Sequence, residues 1–126
     1  MKAGITAYRI LAGIQGSYFL LTGVWPLLHM SSFLAVTGPK TDLWLVETVG
    51  ILVAAIGAGL LLSAIRATQG LEISIIAVLA SLGLMAIDVI YTSRGVISNI
   101  YLADAVPEIL FVVAWISYYA LRFKGR

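Results

Sequence analysis

Residues 42–65, DLWLVETVGILVAAIGAGLLLSAI, decide the fold. The segment is long enough to cross a bilayer, which takes roughly 20 apolar residues at about 1.5 Å of rise each. Between Glu47, near its start, and its end it carries no charge. From Glu47 onward, Gly50, Ala54 and Ala58 follow at steps of three or four. One helical face therefore sets a carboxylate above side chains small enough for a neighbouring helix to approach closely. That face is expected to point into protein.

Outward from this segment the chain repeats the pattern. Upstream, Ile10 to Leu28 is uncharged and predicts a first span over 8–30. A signal peptide with Lys2 and Arg9 as its basic front is the rival reading, but its apolar region would be about 7–15 residues and followed by a small-residue cleavage site, which is missing here. Downstream, spans are predicted over 71–92 and 100–121. The five residues RATQG make the second and third spans an antiparallel hairpin. Residues 30–41, MSSFLAVTGPKT, form the longest connection, with a turn at Gly38-Pro39 and a short interfacial helix over 31–36. Thr41 or Asp42 caps the second span. The last span has two starts: near Ile100, which leaves Pro107 inside the helix, or at Asp104 as N-cap, which puts Pro107 in the first turn. The expected fold is all-α, a four-transmembrane-helix up-down-up-down bundle forming a single integral membrane domain over 1–126.

Composition agrees and excludes several functions. The chain is 61% hydrophobic and 11% charged, where soluble domains carry about a quarter charged residues. A net charge of +2 gives no footprint for nucleic acid. No cysteine is present, so disulfides, thiolate metal sites and dithiol redox chemistry are out. The spans hold no lysine for a Schiff base, the single histidine cannot make a bis-histidine haem, and no phosphate-binding or zinc-protease motif occurs. Neither a cofactor nor a metal is expected.

Orientation follows from the basic residues. With both termini in the cytoplasm (N-in/C-in), Lys2, Arg9, Arg66, Arg122, Lys124 and Arg126 lie inside and only Lys40 and Arg94 outside. The same placement puts Asp42, Glu47, Asp88, Asp104 and Glu108 toward the outer side, and Glu72 alone on the inner side. An ionisable group at membrane depth costs about 2.5–3.5 kcal/mol on insertion scales unless it meets a partner or water. Glu47, Asp88 and Glu108 come from three different helices to a similar level, and if they converge they cannot all stay ionised without compensation. Arg94, Lys40 and His29 are the nearest candidates to supply it. On the first span Gln15, Tyr18, Thr22, Trp25 and His29 form one stripe, and on the third Ser81, Leu84 and Tyr91 share the face of Asp88. The candidate ligand-binding set is therefore Glu47, Asp88, Glu108, His29, Trp25, Tyr18 and Tyr91. The alternative is that each acid sits wetted at its own helix end, and that Trp25 and His29 belong to the interfacial belt.

RILAGIQGSYFLLTG in the first span, with its early arginine, repeated glycines and Phe19-Leu20-Leu21, resembles the opening helix of DoxX-like membrane proteins. ETVGILVAAIGAGLLL, with Glu47 three residues before Gly50, is similar to that family's second helix. The resemblance covers these two spans; Asp88 and DAVPE at 104–108 match no pattern of the family. It implies a small multi-pass protein of the bacterial inner (plasma) membrane, accessory to quinone-linked or redox-protective assemblies.

Three functions are open to such a chain. The first is binding of a lipophilic small molecule, a lipid or a membrane partner through an outward-facing acidic pocket. The second is proton-coupled transport through Glu47 or Glu108. The third is lipid-modifying catalysis of the isomerase kind by paired carboxylates, for which no catalytic residue is assigned. Gly13, Gly16, Gly23, Gly50, Gly57 and Gly59 offer more close-approach surface than one bundle uses, which is compatible with a homodimer.

Overall fold

A computed structural model describes residues 2–125. Five helices follow in order: α1 Lys2–Leu28, α2 Met30–Thr37, α3 Leu43–Arg66, α4 Leu71–Ser93 and α5 Ile100–Lys124. α1, α3, α4 and α5 are long and apolar enough to cross a membrane, with 27, 24, 23 and 25 residues. They alternate in direction, giving the up-down-up-down bundle of a multi-pass membrane protein, and the short α2 covers the end opposite the termini. Outward faces are largely apolar, with Leu21, Leu52, Leu79 and Ile116 among the exposed side chains, as a bilayer-facing surface requires.

α1 packs chiefly on α3, and α4 on α5. The first pairing is made by glycines seven residues apart on each partner. A Cβ added to Gly23 would lie 2.6 Å from the Gly50 carbonyl oxygen, and one added to Gly57 would lie 2.5 Å from the Leu20 nitrogen and 2.7 Å from the Gly16 carbonyl oxygen. Gly16 and Gly23 thus meet Gly57 and Gly50 backbone to backbone, the close approach that small residues permit where lipid offers no hydrophobic drive between helices.

This seam corrects the face predicted for α3. Its buried line runs through Gly50, Gly57, Leu60 and Ala64, while Glu47 and Ala58 are exposed. Glu47 shares a face with Gly50 only approximately: three residues leave it about 60° short of a full turn, and the half-buried Val46 takes the position facing protein. Because Gly16, Gly23, Gly50 and Gly57 are used inside one chain, they no longer argue for a homodimer.

Other boundaries differ in detail. α1 starts at Lys2 rather than near residue 8, because packing extends it: Tyr8 is buried, its hydroxyl bonds Ser63 Oγ, and its ring meets Trp115 edge-on at 5.4 Å. Asp42 stands at the N-cap of α3 but makes no side-chain cap bond. α5 begins at Ile100, so Asp104 is not its N-cap and Pro107 lies within the helix. Lys2 contributes backbone only to this description, and Arg126, counted in the charge asymmetry, lies outside the described residues.

Candidate functional site

The two helix pairs part toward the α2 end and enclose a cavity of about 510 Å³, within the range of about 300–1,000 Å³ typical of small-molecule sites. α1 contributes Tyr18, Thr22 and Trp25, α2 Phe33, Val36 and Thr37, α3 Val46, Val49 and Val53, α4 Leu84 and Asp88, and α5 Tyr101, Asp104 and Glu108. Most of the wall is apolar; the three carboxyls are gathered from α4 and α5. Val49 on α3 and Ile87 on α4 line the cavity and are each half exposed.

Asp88 is 4% exposed and Glu108 1%. Neither sits at a wetted helix tip: Glu108 is about 12 Å along α5 from Ile100 at helical rise. Among the described residues, Asp88 Oδ2 and Glu108 Oε2 accept no hydrogen bond. The Asp88 and Asp104 carboxyls are neighbours, Asp104 accepts a hydrogen bond from the Tyr18 hydroxyl, and Glu108 lies beside the Ser81 hydroxyl. Lys40, also on the wall, donates to Thr37 Oγ1 at 2.8 Å and to the Gly38 carbonyl at 3.2 Å. Its ammonium lies 5.4 and 5.2 Å from the ring centroids of Phe33 and Tyr101, within cation–π range.

Of the seven residues expected to bind a ligand, the structure brings Tyr18, Trp25, Asp88 and Glu108 to one cavity. Glu47 lies outside it on the exposed side of α3. His29 is exposed at the junction of α1 and α2, where its Nδ1 accepts from the Ser32 backbone N–H at 3.2 Å and caps α2. Trp25 fastens the same junction by donating to Ser32 Oγ at 2.8 Å. Tyr91 is half-buried off the cavity wall, with the Arg94 guanidinium 5.7 Å from its ring centroid. Arg94 is therefore engaged away from the acids it was expected to compensate.

Asp104 belongs with the acids: it stands four residues before Glu108 on the same helical face. Lys40 and Phe33 reach the wall only because α2 folds back over the bundle, which no periodicity within a span reveals, whereas Tyr101 stands one turn before Asp104 on the same face of α5. Among the described residues no three acid or histidine side chains are disposed to hold a metal ion. Comparison with family models, curated proteins and solved structures finds no match to this chain.

Proposed function

We propose that the protein is a DoxX-like binding protein of the bacterial inner membrane, with both termini cytoplasmic, that holds a lipophilic molecule with a polar head in the cavity at its α2 end. The observation that carries this reading is an apolar chamber of about 510 Å³ lined by Asp88 and Glu108, each of which keeps one buried carboxyl oxygen without a partner among the described residues. Acids at span depth are costly, and in membrane proteins they mark ligand or ion pathways. The orientation is supported by the basic residues and opens the cavity on the outer side. The family assignment is supported by the first two spans, and it would make the protein an accessory to a redox assembly.

Native mass spectrometry of the protein released from mild detergent tests the reading. Wild type is expected to carry a small molecule that Val53→Phe and Leu84→Phe, which fill the chamber, do not retain. Filled variants that carry the same molecule in the same amount would contradict it.

A second reading, proton-coupled transport, is favoured by the same two acids. Its proton carriers would be Asp88 and Glu108, since Glu47 stands outside the cavity. Substrate flux into proteoliposomes that is unchanged in Asp88→Asn and Glu108→Gln would remove it.

A further inference from the structure

Resting on the binding reading above, we infer that the cavity selects an organic cation: an ammonium head on a lipophilic body. The argument is a census of hydrogen-bonding capacity on the wall. Its side-chain donors, the Tyr101 hydroxyl excepted, are already engaged within the protein. Tyr18 donates to Asp104, Thr22 to the Tyr18 carbonyl at 2.7 Å, Trp25 to Ser32 at 2.8 Å, Thr37 to the Phe33 carbonyl at 2.8 Å, and Lys40 to Thr37 and Gly38.

The acceptors are the groups left over. Asp88 Oδ2 and Glu108 Oε2 accept nothing among the described residues. Two backbone carbonyls join them, because Pro26 and Pro107 lie inside α1 and α5. Proline has no N–H, so the carbonyls four residues back, of Thr22 and Ala103, lose their helical donor. Both residues are on the cavity wall. Each proline thus frees one backbone acceptor on a residue of the chamber wall.

Charge points the same way. Asp88, Asp104 and Glu108 face one lysine on the wall, and that lysine is held by α2 and by two ring faces rather than by a carboxylate. An occupant with acceptors alone, such as a quinone ring, would find one free side-chain donor, the Tyr101 hydroxyl, and would leave the carboxyl oxygens unanswered. A bare metal ion finds no cage of three ligands and gains nothing from the apolar wall. An ammonium on a hydrocarbon body answers both halves of the cavity, and its charge-assisted hydrogen bonds are the strong kind.

Four probes with one naphthalene body and different heads test this: 1-naphthylmethylammonium, 1-naphthalenemethanol, 1-naphthoate and menadione. Binding is read by equilibrium dialysis against nanodiscs that carry the protein, with protein-free nanodiscs subtracted. The ammonium is expected to bind at least about tenfold tighter than the other three. Asp88→Asn and Glu108→Gln should each reduce its affinity by about tenfold or more, and Glu47→Gln, outside the cavity, should not. Asp104→Asn at the half-buried third acid is the substitute if either buried variant fails to elute as wild type does. Equal binding of all heads, or preference for menadione or the alcohol, overturns the cation inference but leaves a lipophilic-ligand site standing. No probe binding overturns the cation inference, and the same result together with no small molecule released from the wild-type protein overturns both.

Discussion

The end of the bundle that holds the termini and the end covered by α2 use buried polar side chains in opposite ways. At the termini end, polar groups close on one another. Gln15 is fully buried, and its amide donates to the Ala77 carbonyl at 3.1 Å and to Ser81 Oγ at 2.9 Å while its oxygen accepts from the Trp115 indole at 2.6 Å. Tyr119 donates to Ser74 at 2.8 Å, and Tyr8, Trp115 and Tyr118 pack into the core around Ala12, Leu60 and Ala77. At the α2 end, Asp88 and Glu108 are as deeply buried but keep acceptors that nothing in the described protein fills. Ser81 stands at the boundary, accepting from Gln15 below and lying beside Glu108 above. The contrast teaches that burial alone does not identify a site. The difference lies in whether a buried group's partners are complete.

The largest expected effect comes from the seam that holds both ends together. Gly57→Leu would drive a side chain into the α1 backbone, where even a Cβ sits 2.5 Å from Leu20 N. It should cost about 3 kcal/mol or more, at or above the upper end of overpacking, and appear as lost monodisperse protein in detergent. A variant that melts like wild type would show that the α1–α3 contact is not what aligns the two ends.

Next comes the closed network. Gln15→Leu leaves the Trp115 indole N–H and Ser81 without their buried partner and should destabilise the bundle by about 1–3 kcal/mol, read as a lower midpoint in thermal or SDS unfolding. The same measurement on Asp88→Asn and Glu108→Gln should show no loss, or a gain of up to about 1 kcal/mol, since each replaces a buried acid whose carboxyl keeps one oxygen without a partner. Destabilisation equal to that of Gln15→Leu would dissolve the contrast and make the acids structural. Smallest of all, Glu47→Gln on the exposed face should shift stability by less than about 0.5 kcal/mol.

The spans were legible from sequence because length and hydropathy are properties of each segment alone: uncharged runs of membrane length leave a helix as the only way to satisfy their backbone. The helical stripes were half legible. Gln15, Tyr18, Thr22 and Trp25 do share the inward face of α1, and the face of Asp88 and Ser81 is buried as the spacing predicted. The stripe through Glu47 was misplaced, because a polar group one turn inside a span reads the same whether it turns inward or stands exposed at the helix end.

Chain chemistry by itself therefore determined that this is an all-α membrane bundle, and which few residues carry ionisable groups at depth. Only the tertiary structure decided which of those residues meet. Convergence depends on the rotation of each helix about its axis, and here that rotation is set by glycine contacts between α1 and α3 and by the Gln15–Trp115–Ser81 junction across the bundle. Those contacts join residues dozens of positions apart, so they leave no periodic trace within a single span.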